Sequence, residues 1–161
     1  MMMHLAFTVV ASFQKTMMVK HGLWDTKRKI KSWTGYDGTE NIEQITTGLV
    51  KRMNLAEEQN LGRQFDWVMS LEVGEHIPAA KESIFLNNII RHAKTGVVLS
   101  WAVPGQPGRN HINNLSNDQV KEKMLKLGFR SDYKAQNIIR KATEVWYFQN
   151  TVMVFRPFQR I

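Results

Sequence analysis

The sequence predicts an α/β protein: a mostly parallel, twisted sheet with helices on both faces and an antiparallel strand at its C-terminal end. Three observations carry that expectation. From residue 32 onward, strand-like and helix-like segments alternate, the pattern of a parallel sheet covered on both faces. Two near-continuous apolar runs, Phe65 to Leu71 and Gly96 to Val103, have the composition of strands buried on both sides. The chain closes on a pair of strand-like segments, which suits an antiparallel edge. With 161 residues the chain fits one core.

Taken in order, Leu5 to Phe13 is apolar and β-branched. It imitates a signal-peptide core, but no basic side chain precedes it and no small-x-small cleavage site follows. Leu5 to Ala11 therefore reads as a strand. Ser32 to Asp37 is a second strand, closed by Asp37-Gly38. Thr39 is placed to cap a short helix through about Thr46. Leu49 to Leu55 and Phe65 to Leu71 follow as strands. Pro78 suits a first helical turn, and Leu86, Ile89, Ile90 and Ala93 recur at helical spacing until Thr95-Gly96. Gly96 to Val103 is the next strand, and a loop with Pro104, Gly105, Pro107 and Gly108 follows it. Ser116 and Gln119 form a capping box, with Val120, Met124 and Leu127 on one helical face and Gly128 as its stop. Phe129 to Lys134 and Asn150 to Phe155 read as closing strands, with Asn137 to Ala142 helical between them.

Composition removes several classes. Apolar residues at 43% and charged residues at 22% exclude a disordered or fibrous chain. The absence of cysteine excludes disulfides, thiolate metal sites and a cysteine nucleophile. No apolar run approaches the ~20 residues of a membrane-spanning helix, and the expected compartment is the cytoplasm. The formal net charge is +8, and residues 1–35 carry six basic groups against Asp25 alone. Lys27-Arg28-Lys29-Ile30-Lys31 has the charge to meet phosphate, but no nucleic-acid motif accompanies it, and a solvated linker is the favoured reading. The chain divides into an atypical basic segment, 1–31, and a domain, 32–161.

Two segments go beyond a generic α/β reading: Thr34-Gly35-Tyr36-Asp37-Gly38-Thr39, and Phe65 through Leu71-Glu72-Val73-Gly74-Glu75-His76-Ile77-Pro78. In order and spacing, together with the late strands GVVLSWAVP and NTVMVF, they resemble the class I S-adenosylmethionine-dependent methyltransferases. The resemblance covers residues 32–157. It implies a Rossmann-like sheet with strand order 3-2-1-4-5-7-6, and a cofactor across the carboxyl ends of the strands. It puts Asp37 where a carboxylate accepts both ribose hydroxyls, with Gly38 at the turn beside it. Asn54, with Leu55 next to it, takes the adenine position through its carbonyl oxygen. Ser70, Leu71 and Glu72 line the cofactor beyond the fourth strand.

One family element has no counterpart. The first strand of the family ends in a D/E-x-G-x-G-x-G loop, whose glycines admit the cofactor to the backbone. Residues 1–35 contain only Gly22 and Gly35, and Ser12-Phe13-Gln14-Lys15 follows the candidate first strand. This implies a truncated relative whose first 30 or so residues are not the family's own, with a sheet left incomplete at its N-terminal side unless Leu5 to Ala11 pairs at its centre.

Glu72, Glu75 and His76 have the spacing E-x-x-E-H. On a helical turn, positions i, i+3 and i+4 share a face. The resemblance extends to relatives that hold a divalent ion with a Glu, Glu, His, His set, and here the matching residues are Glu72, Glu75, His76 and His111. Such an ion polarises an acceptor hydroxyl; without it, His76 with Glu75 is the candidate acid–base group. The alternative is that Glu75 and His76 cap or orient the following helix and His111 is an ordinary loop residue.

Three functions follow. The first is methyl transfer from S-adenosylmethionine to an oxygen or similar nucleophile, metal-assisted, on a small molecule or RNA. The second is a catalytically inactive truncated fold that binds no cofactor. The third is a basic RNA-binding module working through residues 1–31.

Overall fold

The structure is a computed structural model, and it describes residues 3–9 and 30–158. Its elements are β1 (Met3–Val9), β2 (Ile30–Asp37), α1 (Ile42–Ile45), β3 (Val50–Arg52), β4 (Phe65–Leu71), α2 (Glu82–His92), β5 (Ala93–Leu99), α3 (Asn117–Lys126), β6 (Phe129–Ser131), α4 (Tyr133–Ala142), α5 (Phe148–Thr151) and β7 (Met153–Pro157). Two 3₁₀ turns, Gly74–His76 and Ala79–Lys81, lie between β4 and α2. All seven strands form one sheet in the order β3-β2-β1-β4-β5-β7-β6. β1 is parallel to β2 on one side and to β4 on the other, so the centre of the sheet is filled. Only β7 runs antiparallel to its neighbours β5 and β6. β1 thus pairs at the centre, the condition on which the sequence left a complete sheet open, and the sheet has no gap between β2 and β4.

The period-2 pattern of the strands builds two apolar layers. Val68, Val97, Leu99, Met153 and Phe155 lie in a core closed by Phe85, Leu86 and Ile89 of α2 and by Val120 and Met124 of α3. Their neighbours Met69, Leu71, Val98 and Val154 lie in a second core, with Val145, Phe148 and Val152, backed by Ala135 and Ile139 of α4. The sheet is therefore covered on both faces, as the apolar runs require.

Several boundaries differ from the sequence reading. β5 starts at Ala93, not Gly96, because Ala93 turns directly from the end of α2 into extended backbone and pairs with Phe65. Thr95-Gly96 therefore lies inside the strand. Gly96 is required there: a Cβ would come within 2.6 Å of the Trp67 ring and 2.7 Å of the Phe155 carbonyl. β6 stops at Ser131, since Asp132 caps α4 by accepting from the Ala135 N–H at 3.0 Å. Asn150 and Thr151 belong to α5, and β7 begins only at Met153. α1 is capped by Asn41 without a side-chain bond, not by Thr39. The capping box of Ser116 and Gln119 forms as read, and Gly128 takes the left-handed conformation, φ +85°, that ends α3. The expected first strand is found as Met3–Val9; Ala11, Ser12 to Lys15, Gly22 and Lys27 to Lys29 lie outside the described residues.

Candidate functional site at the carboxyl rim

The register across the sheet fixes one row at its carboxyl end. Tyr36 is opposite Thr8, Thr8 opposite Ser70, Ser70 opposite Leu99, and Leu99 opposite Met153. Asp37 and the Ser70–His76 segment thus emerge at the same rim, two strand spacings or roughly 9–10 Å apart. Open parallel sheets bind ligands at this rim, where adjacent connections diverge.

Asp37 is buried at 3% exposure, and its Oδ1 accepts the Thr39 N–H at 2.8 Å. Gly38 does not adopt a left-handed backbone, and a Cβ there would meet only the Met53 carbonyl at 3.8 Å, so this turn does not depend on glycine. Asn54 is exposed. Its Oδ1 accepts the Ala56 N–H at 3.0 Å and its Nδ2 donates to Glu57 at 2.9 Å, a local Asx turn. Leu55 is a core side chain packed with Phe65 and Ile89. Asn54 and Leu55 therefore spend their side chains on the loop and the core.

Ser70 is fully buried, and its Oγ has no hydrogen-bond partner among the described residues. Leu71 packs in the second core. Glu72 follows with φ +52°, a left-handed conformation that costs a non-glycine residue about 1–2 kcal/mol. It is held there by Ser100 and Gln106. The Ser100 Oγ accepts the Glu72 N–H at 2.8 Å and donates to its Oε1 at 2.7 Å, and Gln106 Nε2 donates to Oε2 at 2.6 Å.

The helical turn expected over 72–76 forms only across Gly74–His76. Gly74 is required because a Cβ would enter the buried Trp101 ring. Glu75 is wholly buried, and neither carboxylate oxygen has a hydrogen-bond partner among the described residues. Its carboxyl is pushed up to about 8, first by burial and then by the charge of Glu72; backbone amides of Glu75 and Ala102 pull the other way without completing a bond. The Glu75 carbonyl accepts from the N–H groups of Ile112 (2.9 Å) and Asn113 (3.0 Å), which stitches the distant loop onto the turn. His111 thereby comes to rest with Nε2 4.0 Å from Glu75 Oε1, its ring 5.1 Å from that of His76 in a T-shaped contact. His76 Nδ1 lies 3.1 Å from the Asn110 carbonyl, which fixes Nδ1 as the donor and leaves Nε2 as the ligand atom.

One ligand atom each from Glu75, His76 and His111 lies within 4.8 Å of the others. A carboxylate with two imidazoles is a donor set for a divalent ion, and the orphaned Glu75 oxygens are what such an ion would satisfy. Glu72 is next to this group but spends both oxygens on Ser100 and Gln106. Glu75 does not cap α2, whose N-cap Lys81 makes no side-chain cap bond. The sequence reading did not anticipate Ser100, Gln106 or Tyr147. The charges of Glu72 and Glu75, after burial, push the Tyr147 phenol up. The run Trp146-Tyr147-Phe148 was the available signal for the last.

No family model matches the chain, and no curated protein matches it. Solved structures do. The crystal structure of the small RNA methyltransferase HEN1 superposes with a TM-score of 0.62 at 12% identity, covering 99% of this chain and 23% of that one. The methyltransferase domain of a bacterial Hen1 protein gives 0.59 at 11% identity, covering 96% and 89%. Magnesium protoporphyrin IX methyltransferase from Synechocystis, with bound SAH, gives 0.54 at 14% identity, covering 96% and 73%. At these identities the likeness is one of fold, and it agrees with the Rossmann-like architecture expected from the sequence. No described helix is long and apolar enough to cross a membrane.

Proposed function

We propose that the chain is an S-adenosylmethionine-dependent methyltransferase-like protein that transfers the methyl group to an oxygen or similar nucleophile with the help of a divalent ion. The observation that carries this reading is the register row, which brings a buried acidic residue at the end of β2 and the Ser70–His76 segment to one rim. Structures of the same fold carry SAH and the name methyltransferase. Asp37 retains a second carboxylate oxygen beyond the one that accepts the Thr39 N–H, which suits a ribose hydroxyl. Ser70 brings a hydroxyl without a partner to the same rim.

The residues present fit a divalent ion better as a three-ligand set, Glu75, His76 and His111, than as the four-ligand set that includes Glu72. Bound there, the ion would supply Lewis-acid polarisation of the acceptor oxygen. Glu72 is a supporting group that holds negative charge beside Glu75. Without the ion, and with Glu75 protonated, His76 Nε2 is the group available to take the acceptor proton.

A specific observation favours the second reading, a fold that does not bind cofactor. The Asn54 oxygen is already used by the Ala56 N–H and the Leu55 side chain is in the core, so the adenine side offers fewer free groups than the resemblance implies. Calorimetry with SAH separates the two. Saturable binding, abolished by Asp37→Ala, is the expected result; no heat at millimolar SAH establishes the non-binding fold. The acceptor, whether a small molecule or RNA, belongs to the same proposal, as does a cytoplasmic location. The basic segment 1–31 is retained only as a third reading, tested by a steep salt dependence of RNA affinity that deletion of 1–31 removes.

A further inference from the structure

The described residues expose few large aromatic side chains, and one is at the rim. Trp146 is 60% exposed and immediately precedes α5. β7 starts at Met153, opposite Leu99 in the register row, so the segment leading into it stands above the same strand ends as Ser70 and Glu72. That segment is firmly held. The Tyr147 carbonyl accepts from Asn150 N–H (3.0 Å), Thr151 N–H (2.9 Å) and Thr151 Oγ1 (2.8 Å). Phe148 is wholly buried beneath, and Gln149 and Val145 bond to the buried Thr143. The rings form a ladder: Trp146 meets Tyr147 at 5.4 Å and Tyr147 meets Phe148 at 4.7 Å, both T-shaped. Tyr147 packs against the core that contains Leu71, next to Glu72.

We propose that Trp146 and Tyr147 wall the acceptor subsite, and that the wall receives a planar aromatic ring without negative charge; this rests on the reading of the rim as a methyl-transfer site. The planar preference follows from an exposed indole on a rigid ladder, which gives contact area with little ordering cost. The charge preference follows from Glu72, whose carboxylate comes directly after Leu71 of the core that Tyr147 packs against. An anionic ring meets repulsion there, and a cationic one gains from both the Glu72 carboxylate and the ring faces.

The test uses the full chain labelled with 5-fluorotryptophan, with the Trp146 resonance assigned by its loss in Trp146→Phe. Phenol, tyramine, 4-hydroxybenzoate and cyclohexanol are titrated at pH 7. The expected result is a saturable shift of the Trp146 resonance by phenol and tyramine, weaker with 4-hydroxybenzoate and absent with cyclohexanol. Trp146→Ala should weaken tyramine binding at least about tenfold by calorimetry. No shift with any aromatic probe, an equal shift with cyclohexanol, or tightest binding of 4-hydroxybenzoate overturns the proposal. An SAH titration of the same sample reports separately on the methyl-transfer reading.

Discussion

The loop after β3 and the loops after β4 and β5 treat their buried polar groups in opposite ways. After β3, α2 satisfies nearly everything. Asn88 accepts from Gln59 N–H at 2.8 Å and donates to the carbonyls of Leu55 (3.1 Å) and Glu57 (2.7 Å). His92 accepts from Leu61 N–H at 3.0 Å through Nε2, and Arg91 donates to the Gln59 carbonyl at 2.8 Å. At the end of β4 and in the loops after β4 and β5, Ser70 Oγ, both Glu75 oxygens and His111 Nδ1 are buried without partners among the described residues. A polar group left unpaired in the interior costs about 1–3 kcal/mol. The first region is built to hold the chain; the second retains groups whose cost the proposed ligand would offset.

Breaking the first region should produce the largest effect. Asn88→Ala removes one side chain and strands three backbone groups, for a loss of about 2–4 kcal/mol in urea unfolding. A loss below ~1 kcal/mol would mean that the loop finds water instead and that the contrast is weaker than drawn.

The second region should respond to pH. The folded Glu75 carboxyl is raised from 4.5 to about 8, so between these values the folded chain keeps a proton that the unfolded chain releases. The associated stability is complete below about pH 4.5 and is lost as pH rises through 8. The melting temperature of the metal-free protein should fall by more than about 5 °C from pH 5 to pH 9. Glu75→Gln should flatten that profile. An unchanged slope in the variant would assign it to other groups.

A smaller effect isolates the support of His111. A Cβ on Gly108 would collide with the His111 imidazole, so Gly108→Ala should displace the ring. We expect it to cost about 1–3 kcal/mol at most and to weaken divalent-ion affinity while leaving the Glu75 pH profile in place. Unaltered ion affinity would remove His111 from the ligand set.

The contrast also explains what was legible beforehand. β4 was readable because Phe65 and Val68 serve one core and Trp67, Met69 and Leu71 the other, which leaves only Asp66 and Ser70 polar. The capping box at Ser116 was readable because its two bonds are local. The start of β5 was not, since Thr95-Gly96 reads as a break, and it is the pairing of Ala93 with Phe65 and of Gly96 with Trp67 that makes this stretch strand. The start of α4 had a local signal, Asp132 three residues before Ala135, that strand-like neighbours masked. At the site, the E-x-x-E-H string pointed to Glu75 and His76. The company of His111 depends on bonds from Ile112 and Asn113 to the Glu75 carbonyl, a tertiary fact with no sequence periodicity. Glu72 was expected on the same helical face, but its backbone is left-handed and both its oxygens are bonded to Ser100 and Gln106.

The central claim is that the unpaired groups around Glu75 form a ligand site, and titration of Mn2+ followed by electron paramagnetic resonance addresses it most directly. One ion per chain should bind, more tightly as pH rises through about 8 and Glu75 gives up its proton. The double variant Glu75→Gln with His76→Ala should leave the ion free. No loss of the free-ion signal at millimolar protein, or the same loss in the double variant, would contradict the account.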